Sequence, residues 1–407
     1  MIPDRIRSIA LDLASCEPTP FYLIDLDEIG KKFVTLTSAW RSCFRDVVIA
    51  YSYKTNSLKA ITRLLRSLGS HAEVVSGTEL KWAVEDGFLP DQIIFNGPVK
   101  TLSELREAIR LGVMINVDSV DEARSIVRIC HSDNLTPRIG ARLVAPYMAK
   151  GASRFGVTKT ELQEIVDLLA DVGTTVQGLH FHMGSNIVSE ERYIDVLTTY
   201  LSTIETFTRG SATPVTLDIG GGLPARSAAK DYVPPEPMDL VKRIQGFLST
   251  NGIPFECIRI VLEPGRYLVE DDGYLVTKVE VRKSRNGNQL LIVDAGINLI
   301  RSISTWYHEV SLLDSSKETA TPFMVYGANC FESDLFTEEL YGPLEVAIGD
   351  LLIVGSAGGY DIPSANVWTH PSPAIFGTYN GGIKCLRRLQ DPYEVRANQS
   401  GIVDGDC

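Results

Sequence analysis

The sequence predicts an α/β barrel of eight βα repeats, (β/α)8, followed by an all-β domain of Greek-key-like barrel or sandwich type. Three observations carry this reading. Between about residues 47 and 265, eight short apolar, β-rich runs alternate with helix-like segments, a spacing that suits a parallel barrel of about 220 residues. The intervening stretches SGTELKWAVEDG and TLSELREAIRLG repeat Leu and Ala at helical spacing and end on a Gly that suits a helix C-cap. After residue 270 the helical signals thin out, and strand-like runs divided by Gly, Asn and Asp turns take over.

Taken in order, the chain opens on MIPDRIRSIALDLAS, which reads as an amphipathic helix with Ile6, Ile9 and Leu13 on one face. Asp4 and Asp12 interrupt the apolar core that a signal peptide needs. The barrel runs are VVIAYSYK (47–54), AEVVS (72–76), QIIFNG (92–97), VMINVD (113–118), RIGARLV (138–144), VQGLHFHMG (176–184), VTLDIGGG (215–222) and IRIVLEPG (258–265). The later strands are YLVTKVEVRKS, NQLLIVDAG, TPFMVYG and LEVAIGDLLIVGSAG, with no low-complexity linker before them.

Composition narrows the function. Of 407 residues, 39 are Lys or Arg and 51 Asp or Glu, for a formal charge of −12. Such a surface repels phosphate backbones, which argues against nucleic acid as a partner. No apolar run reaches the roughly 18 to 20 residues of a membrane span. The seven cysteines, at 16, 43, 130, 257, 330, 385 and 407, are odd in number and form no CxxC pair. That pattern suggests neither a disulfide framework nor a zinc knuckle, and a reducing cytoplasm is the expected location.

In a barrel, chemistry gathers at the C-terminal ends of the strands. Those ends carry Lys54, Glu73 with Ser76, Asn96 with Gly97, Arg142, His180 with His182 and Ser185, Gly220 to Gly222, and Glu263 with Arg266. Lys54, closing an apolar strand, is either a partly desolvated Schiff-base nucleophile or a lysine snorkelling to solvent. The three glycines would let backbone amides approach a phosphate, with Arg266 as a fixed charge, but a plain tight turn explains them equally well. Glu263 could keep a pyridine nitrogen protonated, or form a salt bridge to Arg266. His180 and His182 are read as facing opposite sides of one strand, so that only one meets the barrel mouth. With no carboxylates expected nearby, they are not expected to share a metal ion. Cys330, in YGANCFESDLF, is by default a small buried hydrophobe.

In combination and in order, these residues resemble the ornithine/diaminopimelate decarboxylase family, barrel enzymes that use pyridoxal phosphate. The matching motifs run from TPFYLIDLDEI (19–29) to GGYD (358–361). Between them lie YSYKTN, AEVVSGTEL, FNGPVKT, SRFGV, GLHFHMGSNI, LDIGGGLP, EPGRYLV, DAGINLIR, the NCFESD region and GDLLIVGSAGGY. The resemblance implies that Lys54 binds the cofactor covalently, that Glu263 pairs with the pyridine nitrogen and that His182 stacks on the ring. It implies Ser185, Gly221, Gly222, Gly265, Arg266 and Tyr360 around the phosphate, with Glu73 near the lysine. It implies Cys330 as proton donor to Cα after carbon dioxide leaves, and Arg142, Arg266, Arg301, Phe331, Asp334 and Tyr360 around the substrate. It also implies a homodimer with shared active sites, and a β domain made of residues 1–25 and 269–407 around a barrel at 26–268.

The departures from the family concern the substrate. Family members that act on diamino acids follow the cysteine with an acidic residue, where this chain has Phe331. Glu332 is one step along, and in a strand one step reverses the side chain. The tyrosine expected four residues after Arg301 is Thr305, and DIPSANVWTHPSP after Tyr360 lacks the usual continuation. These differences suggest an amino acid with an acylated, neutral or acidic tail, as in siderophore or antibiotic pathways. The alternative is diaminopimelate, ornithine or lysine, with Glu332 or Asp334 compensating. An amino-acid racemase is opposed by Cys330 and Glu263. A silent regulatory homologue is opposed by retention of Lys54, Gly222, Arg266 and Tyr360.

Overall fold

A computed structural model describes residues 2–146, 153–209, 213–314, 321–342 and 346–397. Cys407 lies outside them. The chain divides into two compact units, Ile29–Val269 and Met1–Glu28 with Glu270–Cys407.

The first unit is a closed parallel barrel. With the strand β1 (Phe21–Asp25) preceding it in the chain, its strands are β2 (Val47–Ser52), β3 (His71–Val74), β4 (Ile93–Phe95), β5 (Met114–Val117), β6 (Arg138–Leu143), β7 (Val176–Phe181), β8 (Val215–Asp218) and β9 (Ile258–Leu262). β2 pairs with β9 to close the ring. All eight expected runs contain strands, and every one stops short of its expected C-terminal end. Past those points Gly184, Gly220 and Gly222 take positive φ, and Pro264 lacks an N–H for the ladder. Lys54, Asn96, His182, Ser185, the three glycines, Glu263 and Arg266 therefore sit just beyond the strands, while Glu73, Arg142 and His180 lie within them.

Ala50, Ile94 and Val261 pack together, with Val48 and Met114 against them. Ile94 on β4 reaches Ala50 on β2 and Val261 on β9, although β4 pairs with neither of those strands, so the three meet in the barrel interior. Counting in twos from these positions gives the inward row of each strand. Helices on the outside are capped by their own sequence: Thr101 and Thr158 each form a capping box with the glutamate three residues on.

The second unit is a nine-stranded sheet. β1 lies between β10 (Gly273–Arg285), antiparallel to it, and β16 (Ala374–Tyr379), parallel to it. The remaining strands are β11 (Asn288–Val293), β12 (Val310–Leu312), β13 (Thr321–Tyr326), β14 (Leu335–Gly342), β15 (Leu351–Val354) and β17 (Gly382–Arg387). β11 and β13 are also parallel, so the sheet is mixed. The N-terminal helix α1 (Asp4–Ala14) lays Ile6, Ala10 and Leu13 onto Phe21, Leu23, Val276, Ile353 and Phe376. β16 and β17 join through Asn380 and Gly381, both at positive φ, the arrangement of a type I′ turn. No helix among the described residues is long and apolar enough to cross a membrane.

Candidate active site

Above the apolar layer, the inward rows of the barrel turn polar. Ser52, Glu73, Asn96, Asn116, His180, Asp218 and Glu263 are all buried there. Buried polar groups are costly unless they are hydrogen-bonded, and Ser52, Glu73, Asn96, Asn116 and Glu263 bond one another. Both ring nitrogens of His180 and Asp218 Oδ2, by contrast, have no hydrogen-bond partner among the described residues. Lys54 stands on the 3₁₀ turn Tyr53–Thr55, just past β2. Its Nζ donates to Glu73 Oε2 at 2.6 Å and to Ser52 Oγ at 2.8 Å. Ser52 Oγ donates to the same Glu73 oxygen at 2.6 Å. The lysine is thus held by an ion pair, and its side chain is 36% exposed, so desolvation is not its distinguishing feature.

Asn96 Nδ2 donates to Glu73 Oε1 at 3.0 Å and to Glu263 Oε1 at 2.6 Å. Glu263 Oε2 lies 3.2 Å from His180 Nε2. Burial alone would raise the Glu263 carboxyl, but His180 and the Lys54 charge outweigh it and hold that group well below the usual carboxylate range. Asp218 behaves oppositely: burial and the adjacent Glu263 push it well above that range. Its Oδ1 accepts from Gly220 N at 2.9 Å. His182 accepts at Nδ1 from Gly221 N at 3.4 Å. Burial, with the Arg142 and Lys54 charges, lowers it to about 3, which keeps its ring neutral.

The loops after β7 and β8 are stitched into one rim. Ile187 N donates to Gly222 O at 2.8 Å, and Asn186 bonds Ala225 N and Ser227 Oγ at 3.0 and 3.1 Å. Gly222 combines φ +90° with a close approach, because a Cβ there would lie 2.7 Å from Gly184 O. Ser185 is exposed on this rim. Gly265 leads into the short helix Arg266–Val269, and a Cβ on it would lie 2.0 Å from Thr55 Oγ1. The loop after β9 therefore presses on the lysine turn. Arg142 faces Asp118 Oδ2 at 3.7 Å and lies over the Phe155 ring at 4.4 Å.

In the second unit, Cys330 is an exposed free thiol, not the buried hydrophobe of the default reading. It sits in the turn between β13 and β14, beside the exposed Phe331, whose ring lies 5.7 Å from Trp368. Tyr360 is left-handed at φ +68°, and Arg301 opens the turn Arg301–Ser304.

Several expectations need correction. His180 and His182 are two residues apart, so strand geometry puts them on the same side, and both lie near the inward polar layer. Nor are carboxylates lacking: His180, Asp218 and Glu263 bring one donor atom each within 4.8 Å of one another. Residues 331 and 332 belong to a turn, so strand reversal says nothing of Glu332. Asp334, expected at the substrate, is buried, and its carboxylate accepts from Ile297 N at 2.7 Å and Asn329 N at 2.8 Å. It organises its own turn. Asn116 and Asp218 were absent from the expected site, and the role of Asn96 was unspecified. Their signal was a polar residue at inward parity at the end of an otherwise apolar run.

The barrel mouth fits pyridoxal phosphate by the chemistry of its donors. It offers an amine for an aldehyde, an anionic carboxylate for a pyridinium nitrogen, a neutral imidazole for a ring face, and a glycine rim with a buried arginine for a phosphate.

Comparison with known proteins is consistent with that chemistry. Residues 30–270 match the family described as pyridoxal-dependent decarboxylase, pyridoxal binding domain. The diaminopimelate decarboxylase of Aquifex aeolicus is 30% identical over 401 residues, covering 95% of this chain and 93% of its own. That of Methanothermobacter thermautotrophicus is 30% identical over 402 residues, covering 94% and 91%. The crystal structure of diaminopimelate decarboxylase from M. jannaschii in complex with L-lysine is 26% identical, with a TM-score of 0.88, covering 97% of this chain and 94% of that one.

Proposed function

Because the chain belongs to the pyridoxal-dependent decarboxylases and is a carboxy-lyase that uses pyridoxal phosphate, we propose that its substrate is diaminopimelate, from which it removes one α-carboxylate to leave lysine. The observation that carries this choice is 30% identity across nearly the whole chain to diaminopimelate decarboxylases. This choice is the alternative reading of the sequence, and departs from the favoured one of an amino acid with an acylated, neutral or acidic tail in a siderophore or antibiotic pathway.

When bound, the cofactor supplies an aldehyde for an amine and a ring that accepts the electron pair released as the Cα–carboxylate bond breaks. The protein supplies the rest. Lys54 Nζ, held by Glu73, is the amine that the substrate amine displaces. Glu263 keeps a negative charge for the ring nitrogen, and neutral His182 offers a flat face. Ser185, Gly221, Gly222, Gly265 and Arg266 receive the phosphate, with Tyr360 assigned to it by resemblance. Arg142 and Arg301 are assigned to substrate carboxylates. The Cys330 thiol gives its proton to Cα after carbon dioxide departs.

One specific observation favours a second reading: Phe331 and Thr305 stand where an acid and a tyrosine are expected. Mass spectrometry of the purified enzyme with pyridoxal phosphate distinguishes the two. The panel holds D and L forms of lysine, ornithine, arginine and glutamate, diaminopimelate, and side-chain-acylated diamino acids. Conversion of diaminopimelate to lysine supports the proposal, whereas carbon dioxide loss from an acylated member alone overturns it. Shared sites in a homodimer belong to the same proposal. Mixing inactive Lys54→Ala and Cys330→Ala chains should then restore roughly a quarter of the wild-type sites, and no recovery would mean that each chain works alone.

A further inference from the structure

Two carboxylates in the barrel mouth face different groups, Glu73 the lysine and Glu263 the histidine, and one amide stands between them. A carboxamide nitrogen carries two hydrogens, and Asn96 Nδ2 has one acceptor for each, at 3.0 and 2.6 Å. The amide is oriented by its other end, where Asn116 Nδ2 donates to Asn96 Oδ1 at 2.8 Å. Turned over, Asn96 would set its oxygen against two carboxylates and its nitrogen against a donor. Asn116 has room because residue 140 is glycine: a Cβ there would lie 2.0 Å from Asn116 Oδ1.

The backbone beneath is fixed as well. Lys100, buried and paired with Glu122 at 2.7 Å, donates to Gly97 O at 2.9 Å and to Asn116 O at 3.0 Å. A buried lysine has thus clamped the strand ends that carry both asparagines.

We propose that Asn96 is a positioning residue whose amide, aimed by Asn116, gives one hydrogen to each of Glu73 and Glu263 and so keeps the two carboxylates to separate tasks, one at the lysine and one at the ring nitrogen. Without such a divider each carboxylate loses the hydrogen bond that tempers its charge, and neither is held to its own partner alone. The inference goes beyond the choice of substrate and holds for any amino acid the enzyme decarboxylates.

The test uses the holoenzyme without substrate, so failure of the substrate proposal leaves it intact. Asn96→Ser removes the divider, Asn96→Asp adds an acid in its place, and Asn116→Ala releases its aim. Two quantities are read: the pH midpoint of the visible absorption of bound pyridoxal phosphate, and the Kd of the cofactor. With the hydrogen bond to Glu73 gone, more negative charge faces Lys54 Nζ and holds its proton longer. The midpoint should rise by about one pH unit, and the Kd by about tenfold, in both Asn96 variants, with a smaller shift of the same sign in Asn116→Ala. A midpoint and Kd that stay within about twofold of wild type, even with a lower melting temperature, would reduce Asn96 to scaffolding and overturn the proposal. Should the Asn96 variants fail to fold, Asn116→Ala decides it on the same two readings.

Discussion

At Thr55 and Gly265 the tolerance around the catalytic lysine is set by one missing methyl group. A Cβ at residue 265 would lie 2.0 Å from Thr55 Oγ1 and 3.0 Å from Thr55 Cβ, so Gly265→Ala must push the turn that carries Lys54. Positioning errors of this kind commonly cost about a hundredfold in rate. We expect kcat to fall by about that factor, with part of it recovered in Gly265→Ala/Thr55→Ala, where the clashing hydroxyl is removed. Steady-state kinetics on the two variants checks this, and equal losses in both would place the strain elsewhere. A second expectation concerns acid. Burial lowers His71 to about 4, while the unfolded chain takes up that proton near 6.5. Its contribution is complete above pH 6.5 and is lost as pH falls toward 4. His71→Gln should narrow the stability difference of the apoprotein between pH 7 and pH 5 by about 1–2 kcal/mol, allowing for partial exposure. Urea midpoints at the two pH values measure it. Much of this residue-level picture was legible: Lys54, Glu73, His182 and Glu263 stand out as polar endings on apolar runs. Asn116 and Asp218 did not, because VMINVD and VTLDIGGG look like ordinary strands until parity across the barrel is known.

Among the elements, strands were easier to find than their ends. Periodicity locates a run of VTLD or IRIVL, but the point where a strand yields to a loop depends on glycine φ values and on Pro264. The expected strands therefore overran into the functional loops. In the second unit the two acids of LFTEELYG hide the strand β14 from an apolar count, and β16 with β17 shows in the sequence through the Asn380–Gly381 turn rather than through its own composition. Helix starts are a firmer guide. Thr158 Oγ1 accepts from Glu161 N at 3.3 Å, and Glu161 Oε2 accepts from Thr158 N at 2.8 Å. Thr158→Ala should cost about 1 kcal/mol of stability with unchanged kcat and KM, since the capped helix Lys159–Ala170 carries none of the site residues. Denaturant midpoints and initial rates report the two halves of that expectation, and a loss of activity would contradict it.

On the scale of the whole molecule, the sequence order of the units conceals their composition. β1 belongs to the C-terminal sheet although it precedes the entire barrel. The motif resemblance, rather than periodicity, suggested as much, since FYLID alone could begin either unit. Phe21, Tyr22, Leu23 and Ile24 are fully buried, at about 1.5–3 kcal/mol each. Their sum is comparable with the 5–15 kcal/mol that holds a typical domain together. Deleting residues 1–25 should therefore leave residues 270–397 open to limited proteolysis, and protease resistance equal to the full chain would show that the sheet closes without its middle strand.

The same strand sets a timetable for synthesis. Asp25 Oδ1 accepts a hydrogen bond from Thr378 Oγ1, 353 residues later, at 2.7 Å. At about 5–20 residues per second, a ribosome needs roughly 20–70 s to deliver the partner. Until β10 follows the barrel, this apolar strand trails with both edges unpaired, and the edge that β16 will cover stays open for the rest of the interval. Nascent chains of this protein should accordingly bind chaperones through residues 21–24, and slowing translation should lengthen that exposure rather than aid folding.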